Sequence, residues 1–297
     1  MFQMKSRLLF FIFFITTITH AQTFDWWKNL VHWDGITNWS KYLTFSPGLM
    51  GVNALPVPLL GNGSIDSVSS IGITGNLHFS KGDNSQNPTL YGNYCFAKNR
   101  LSFDVNWIPV EWFQMSHAVK EKRKVYWQDY YRKKAHGDLY LNATVQLMNR
   151  WRQNIDLALR LGYKYATSDG EGAARMTGMP GYYFDISAGK KFSQRSNWKA
   201  IATVGLYIWE TNSDIPRFFQ DDALLTGAGV EFNKNKFRMQ TCVAGYFGYI
   251  EGYDDDPMLY RLSFEKKFKK ISGLFRFQQG LHDFNYTSIE LGMKYFY

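Results

Sequence analysis

The last ten residues of the chain, Ser288 to Tyr297, alternate between two kinds of side chain. One set is apolar or aromatic and consists of Ile289, Leu291, Met293, Tyr295 and Tyr297. The other set includes Glu290, Gly292 and Lys294. Because successive side chains of a strand point to opposite faces, this pattern predicts a strand with one apolar and one polar face. Such a strand suits the wall of a membrane barrel, with lipid outside and a polar interior.

The same alternation recurs toward the N-terminus between turn-rich breaks. Predicted strands cover residues 67–80, 89–97, 101–112, 137–148, 154–166, 181–192, 198–209, 222–232, 237–250, 257–268, 271–281 and 286–297. The number is even, as bacterial single-chain barrels prefer, so residues 42–52 are placed before the barrel instead of forming an extra strand. The predicted fold class is therefore all-β: a transmembrane antiparallel β-barrel of about 12 strands, preceded by an N-terminal segment outside the ladder.

The start of the chain has the composition of a secretory signal. Lys5 and Arg7 precede the apolar run from Leu8 to Ile18, and cleavage is predicted after Ala21. No later stretch provides the roughly 20 apolar residues of a membrane-spanning helix. The predicted organisation is a signal peptide at 1–21, an N-terminal region at 22–64 and a barrel at 65–297. Aromatic residues make up 18% of the chain, which suits a barrel with aromatic girdles in a Gram-negative outer membrane.

The direction of the last strand orients the barrel, because that strand is expected to run down to the periplasm. Breaks between the predicted strands are mostly short on this side. The longer breaks at 113–136, 167–181 and 210–221 are therefore predicted to be extracellular, with shorter ones at 81–88, 251–256 and 282–285. Long outer loops and short inner turns are typical of outer-membrane barrels.

Alternation also predicts which charged side chains face the lumen. The predicted lumen-lining residues are His78, Asp104, Asp156, Arg160, Lys164, Asp185, Lys191, Glu231, Arg238, Arg261, Glu265, Arg276, Glu290 and Lys294. Arg276 and Glu290 are expected to form a cross-strand ion pair. Rows of opposite charge can provide polar steps for a permeating solute. They can equally satisfy one another within a narrow, filled interior.

The N-terminal region divides into two parts. In the first part, Phe24, Trp27, Leu30 and Val31 follow helical spacing, which predicts a short interfacial helix under the inner edge of the barrel. Residues 45–63 are apolar but interrupted by Pro47, Pro56 and Pro58, which a sheet tolerates poorly. This second part is predicted to be an extended plug inside the lumen. An added outer strand and a periplasmic tether are the alternatives.

The predicted loop at 113–136 is rich in cations and aromatic residues. Its basic residues are Lys120, Lys122, Arg123, Lys124, Arg132, Lys133 and Lys134. Outside the cell such a loop suits the phosphates of lipopolysaccharide or an acidic partner, and nucleic acid is not expected as a ligand. A loop that is merely solvated is the alternative.

Few residues suggest catalysis or metal binding. His78 and Ser80 lie two apart on one predicted face, as in some barrel hydrolases. Neither an H-x-S-N-G motif nor an orienting carboxylate accompanies them, so no enzyme activity and no cofactor are predicted. The run from Asp254 to Asp256 lacks the spacing of a calcium loop and is interpreted as an acidic turn, without metal. The two cysteines, Cys95 and Cys242, are predicted to be small buried side chains.

Three stretches, FSPGLMGVNALPVPLLGNG, HFSKGDNSQNP and PGYYFDISAGKKF, resemble a family of Bacteroidota outer-membrane barrels without an assigned activity. A barrel with an N-terminal segment in its lumen is also loosely similar to the fatty-acid transporter class. The resemblance implies the barrel and its compartment, and no catalytic residue. The leading predicted function is a pore or transporter for small solutes, and the alternative is an accessory subunit of a larger outer-membrane complex. Expected partners are membrane lipid, lipopolysaccharide, the barrel-assembly machinery and an outer-membrane protein.

Overall fold

The computed structural model describes residues 24–97, 100–151, 154–214 and 217–297. Two helices are present in these ranges, α1 at 24–31 and α2 at His117–Lys122, with short 3-10 turns at Trp39–Tyr42, Trp127–Asp129 and Glu171–Ala173. The strands are β1 Ser70–Ser80, β2 Asp83–Phe96, β3 Leu101–Trp107, β4 Glu111–Met115, β5 Lys134–Ala135, β6 Leu139–Trp151, β7 Ile155–Tyr165, β8 Gly181–Lys191, β9 Trp198–Asp214, β10 Arg217–Lys234, β11 Phe237–Phe247, β12 Met258–Lys267, β13 Ile271–His282 and β14 Thr287–Phe296.

Twelve of these strands form one closed antiparallel barrel. Each of these twelve strands pairs with the next of the twelve along the chain, so that β3 pairs with β6, and β1 closes the ring by pairing with β14. The short strands β4 and β5 continue the wall above β3 and β6, because β2 pairs first with β4 and then with β3. The wall strand is interrupted between β3 and β4, where Pro109 has no N–H to offer a ladder. This arrangement confirms the predicted fold class and strand number.

Two predicted connections are wrong. The described residues within 210–221 do not form a loop, because β9 and β10 continue as a hairpin in which Gln220 pairs with Glu210. The break predicted at 81–88 shrinks to the turn at Lys81 and Gly82, since β2 begins at Asp83. Backbone hydrogen bonds hold both extensions above the apolar belt, so their polar sequences gave no strand signal.

The outer face of the barrel is apolar. Large side chains with at least two-fifths of their surface exposed include Ile71, Ile73, Leu77, Phe79, Leu161, Val204, Leu291 and Met293. Such a continuous belt would be costly in water and is what a lipid-facing wall requires. The outer membrane is thus the compartment that this barrel fits, as the alternating strands predict. Neither of the helices described is long and apolar enough to cross a membrane.

Helix α1 lies at the end of the barrel that carries the long loops. The indole Nε1 of Trp27 donates to the carbonyl oxygen of Lys124 at 3.2 Å, and Trp39 stacks on Tyr126 with centroids 4.6 Å apart. We call this the extracellular end and the end where β14 terminates the periplasmic end. The prediction of a helix under the inner edge is therefore wrong. The aromatic residues that bind the helix belong to the loop after β4, which a local helical pattern does not reveal.

Candidate functional site in the barrel lumen

Residues 45–66, here called the lumen segment, run through the interior from one end of the barrel to the other. At the extracellular end the amide of Gly48 donates to the carbonyl oxygen of Asp254 at 3.0 Å. In the middle the hydroxyl of Tyr246 donates to the carbonyl oxygen of Leu55 at 2.8 Å. At the periplasmic end the amide of Ile65 donates to the Oε1 atom of Gln146 at 3.0 Å. Wall side chains thus satisfy backbone groups that the prolines prevent from joining the sheet.

The lumen segment comes closest to the wall on one side of the barrel, from β7 to β11, and also bonds to Gln146 of β6 and Arg261 of β12. A Cβ atom on Gly227 of β10 would lie 2.6 Å from Leu60, which shows how closely that side chain approaches the wall. Gly63 has a φ of +77° and faces the carbonyl oxygen of Asp156, where a side chain would overlap the wall. Glycine is the residue that fits this position without strain. The other side of the lumen is left less crowded.

The extracellular half of the lumen is filled by an apolar core. Its buried residues include Phe45, Met50, Leu55, Phe113, Tyr207, Trp209, Tyr246, Leu259 and Phe284. Both the wall strands and the lumen segment contribute side chains to this core, so the apolar residues of each are buried only when the two are packed together. This core fills the side of the extracellular half against which the lumen segment packs.

A buried polar cluster, here called the extracellular cluster, closes the same end. It comprises Asp83, Glu111, Arg123, Arg175 and Tyr286. Arg123 contacts Asp83 at 2.6 Å and donates to the hydroxyl of Tyr286 at 3.0 Å. Arg175 pairs with both Asp83 and Glu111. Because these residues come from two wall strands, two loops and the start of β14, the cluster ties the loops to the barrel.

Arg175 is the centre of this cluster and is fully buried. Burial alone would lower the pKa of its guanidinium, but Glu111, Tyr286 and Asp83 raise that pKa well above its ordinary value. The group therefore stays charged. The lumen segment joins the cluster through Asn53, whose Nδ2 atom donates to Glu111 at 3.0 Å.

The sequence did not reveal the extracellular cluster. Arg123 is predicted to be part of a surface-binding loop but is only 8% exposed, because it is buried against Asp83. The two residues are 40 positions apart, so no local pattern predicts their contact. Arg175 lies in a loop without alternation and pairs across 92 and 64 residues. Only a tertiary contact places these charges together.

An interior cavity of about 450 Å³ lies on the opposite side of the lumen segment. Its walls come from β1–β3, β6, β7 and β12–β14, and the segment itself covers it with Val52 to Leu59. The polar lining includes Asn76, His78, Asp104, Asn142, Arg160, Arg261, Arg276, Gln278, Ser288, Glu290 and Lys294. Ser70, which pairs with Phe296 at the base of the wall, also lines it, so the cavity reaches the periplasmic end.

Most charges predicted to line the lumen meet an opposite charge inside the barrel. The pairs are Arg160–Asp185 at 2.7 Å, Lys164–Asp138 at 3.3 Å, Lys199–Asp156 at 2.7 Å, Arg238–Glu231 at 2.8 Å, Arg276–Glu290 at 2.6 Å and Lys294–Glu265 at 3.1 Å. Asp104 accepts from Asn93 at 2.5 Å. Lys191 lies at the base of β8, half-buried, and its amide donates to the carbonyl oxygen of Asn154 at 3.4 Å. Arg261 differs from the paired cations because its partners are neutral.

His78 is buried and does not activate Ser80. Its Nδ1 atom lies 2.7 Å from the Oγ atom of Ser288, and its Nε2 atom lies 2.9 Å from the Oδ1 atom of Asn87. Both ring nitrogens are therefore used in hydrogen bonds across β14, β1 and β2. The two-residue spacing of His78 and Ser80 predicts a shared face. The imidazole nevertheless bonds to its cross-strand neighbours Ser288 and Asn87.

The basic loop divides between exposed and internal side chains. Lys122, Lys133 and Lys134 are exposed, whereas Arg132 pairs with Asp169 of the next long loop. Lys120 donates to the carbonyl oxygen of Tyr130 at 2.5 Å and lies over that ring. Lys124 is half-buried under Trp27. The loop is thus a folded lid with a few free lysines on its surface.

The remaining candidate sites are structural in the described residues. Asp254 accepts from the lumen segment through its carbonyl oxygen, and the carboxylate of Asp255 accepts from the amide of Ile250 at 3.3 Å. No group of three metal-ligating side chains is found in the described part of the chain. Cys95 and Cys242 are free thiols, the first half-buried and the second buried.

Comparison with known proteins places this architecture among outer-membrane barrels. The COG4313 outer membrane channel from Pseudomonas putida F1 is similar over 82% of this chain and 100% of its own, with 12% identity and a TM-score of 0.59. The NanC porin is similar over 76% of this chain and 98% of its own, with 7% identity and a TM-score of 0.52. The sequence matches no protein-family model and no curated protein. At these identities the similarity establishes the fold.

Proposed function

We propose that the chain is an outer-membrane pore or transporter for small solutes, with its lumen segment acting as a plug. The observation that carries the proposal is the 450 Å³ cavity beside the segment, bounded by a polar wall and reaching the periplasmic end. Its volume falls within the range of about 300–1,000 Å³ common for small-molecule sites. Similarity in fold to a porin and to a channel supports the same function.

The plug is held by its apolar core residues and by hydrogen bonds that water or solute can replace. Tyr246, Gln240 and Arg261 donate to carbonyl oxygens of the segment, and no strand pairing fixes it in the wall. A few hydrogen bonds of roughly 1 kcal/mol each can be replaced by water or solute, whereas the barrel ladder remains intact. Movement of residues 45–63 would connect the cavity with the extracellular end.

The hydrogen bonds of His78 argue against a catalytic pair with Ser80, since both ring nitrogens are engaged with other residues. Lys122, Lys133 and Lys134 are exposed on the surface of this folded loop, where they can bind the phosphates of lipopolysaccharide. The barrel-assembly machinery is the expected partner during insertion. An accessory role in a larger complex is the alternative, and membership of the Bacteroidota family remains part of this proposal.

Uptake by proteoliposomes tests the proposal directly. A Cβ atom on Gly61 would lie 2.6 Å from that of Ser187, so Gly61→Cys with Ser187→Cys can form a disulfide after a shift of about 1 Å. Cys95 and Cys242 are changed to serine in this protein, and the same background without the new pair is the control. Reduced protein is expected to admit small sugars and amino acids, and oxidised protein to exclude them. Equal uptake in both states contradicts the plug, and no uptake in the reduced state contradicts the transporter.

A further inference from the structure

Arg261 stands apart from the other buried cations. The cations that are less than a tenth exposed in the described chain are Arg123, Lys164, Arg175, Lys199 and Arg261. Each of the first four has a carboxylate within 3.3 Å. Arg261 has no carboxylate within ion-pair distance among the described residues. An uncompensated charge inside a protein is costly and calls for a counter-ion.

The partners of Arg261 are all neutral. Its Nε and Nη2 atoms donate to the Oε1 atom of Gln278 at 3.0 and 2.8 Å. Nη2 also donates to the carbonyl oxygen of Val57 at 3.1 Å, and Nη1 donates to that of Pro58 at 3.3 Å. These bonds orient the guanidinium toward the cavity without removing its charge.

Neighbouring charges do not supply the missing anion. Arg276 and Arg160 both repel Arg261, and each already has a carboxylate of its own, Glu290 and Asp185. Glu290 attracts Arg261 but is bonded to Arg276 at 2.6 Å. The immediate surroundings of Arg261 therefore hold one unpaired positive charge, and the unpaired carboxylate of Asp104, which also lines the cavity, is bonded to Asn93 instead.

The surface opposite the charged wall is apolar. Val57, Pro58 and Leu59 of the lumen segment line the cavity next to Arg261. We propose that the cavity binds a small monocarboxylate with an apolar body, its carboxylate on Arg261 and its body against these three residues. The proposal rests on the proposed function, since it names the solute class of that lumen. One negative charge matches the unpaired guanidinium of Arg261, and an apolar body matches the covering segment.

Binding of such a solute would also act on the plug. A carboxylate bonds a guanidinium best through two parallel N–H donors. Two donors of Arg261 now hold Val57 and Pro58. Competition for these donors weakens the hold on the segment, so the solute favours its own passage.

Calorimetric titration of the purified mature chain in a nonionic detergent tests this site. Hexanoate and hexylammonium have the same apolar body and opposite charge, and inorganic phosphate has charge without an apolar body. The wild-type protein is expected to bind hexanoate at least tenfold more tightly than either of the others. Equal affinity for hexylammonium overturns the proposal. Phosphate that binds as tightly as hexanoate also overturns it, because the site is then a general oxyanion site.

Variants locate the charge that is responsible. Arg261→Gln is expected to weaken hexanoate binding at least tenfold, and Arg261→Lys is expected to keep the preference for the anion. Lys266→Gln is the matched control, because it removes an exposed charge from the same strand outside the cavity. Unchanged hexanoate binding by Arg261→Gln contradicts the assignment. If these variants fail to fold, the ligand series on the wild-type protein still decides the question.

The site and the pore fail in different ways. Solute uptake without a preference for hexanoate over hexylammonium leaves the transporter standing and removes the carboxylate site. Hexanoate binding in a barrel that admits no solute, even with its plug released, keeps the site and removes the transporter.

Discussion

The two halves of the lumen are built differently. The extracellular half is packed with aromatic and aliphatic side chains and closed by the extracellular cluster, in which Arg175 serves two carboxylates. The periplasmic half has an open side lined by polar groups, which continues up to Ser288 near the extracellular end of β14, and ion pairs at its wall such as Arg276–Glu290 keep some exposure. The same lumen segment passes through both halves.

This difference suggests that the two halves of the lumen have different tasks, one as a barrier to solutes and the other as a space that binds them. Charges in the extracellular half are almost fully desolvated and depend on one another, so losing one leaves others unpaired. Some pairs toward the periplasmic half, such as Arg276–Glu290, are partly hydrated, so water can replace a lost partner there, whereas Lys199–Asp156 is buried. We therefore expect the extracellular half to control whether the barrel is closed and the periplasmic half to control which solute it holds.

The largest expected effect comes from Arg175→Met. Loss of this guanidinium leaves Asp83 and Glu111 buried with less charge compensation, which is expected to lower the free energy of unfolding by about 3–5 kcal/mol. Urea unfolding in detergent micelles, followed by tryptophan fluorescence, measures it. Arg276→Met is the control in the periplasmic half and should cost roughly 1 kcal/mol, because its pair is partly exposed. Equal losses in the two variants contradict the distinction between the halves.

A smaller effect is expected where the lumen segment passes closest to the wall. Gly63→Ala introduces a methyl group against the Asp156 carbonyl at a positive φ, at a cost of about 1–3 kcal/mol. Displacement of the segment should increase solute uptake by proteoliposomes. Gly75→Ala is the matched control, because a Cβ atom there meets nothing within 4 Å. Uptake that rises equally in both variants argues against a plug.

The single tether from Tyr246 should matter less. Tyr246→Phe removes the hydrogen bond to the carbonyl oxygen of Leu55 and keeps the ring in the core, so stability should fall by about 1 kcal/mol. Tyr260→Phe removes a hydrogen bond between two wall strands, with Thr241, and is the control. A protease added to the purified barrel in detergent should cleave the lumen segment faster in Tyr246→Phe than in the wild-type chain, and no faster in Tyr260→Phe. Acceleration in the second would show that the wall, not the tether, limits access.

The smallest effect is a pH dependence of the contact between the two long extracellular loops. Burial alone would raise the pKa of Asp169, but hydrogen bonds from His136 and the charge of Arg132 lower it below its ordinary value. The stabilising contribution of such a group is complete above its unfolded pKa and is lost as the pH falls through its folded pKa. Because the carboxylate is partly exposed, we expect at most about 0.5 kcal/mol.

Melting temperatures measured between pH 7 and pH 3 can detect that contribution. Asp169→Asn should be less stable than the wild-type chain at neutral pH and should approach it in acid. A difference that grows as the pH falls would contradict the sign of the shift.

Alternation was sufficient to predict the wall and its closure. Each strand is predicted from the alternation in its own residues. A short hairpin between β13 and β14 fixes their register, which places Arg276 opposite Glu290. The hairpin extension of β9 and β10 lay beyond prediction, since its sequence lacks the alternation of apolar and polar residues although its backbone is paired. The extracellular cluster and the site of α1 depend on contacts between distant loops, which carry no periodic signal.

The most direct test of the account is the conductance of the whole chain in planar bilayers, compared with a version in which residues 45–63 are replaced by a glycine–serine linker of equal length. Heat-modifiable migration on gels first verifies that each barrel has folded. We expect brief openings of the wild-type barrel and a steady open conductance for the linker version. A folded linker version that stays silent, or a wild-type barrel that conducts as much as the linker version, would contradict the claim that the lumen segment is the plug.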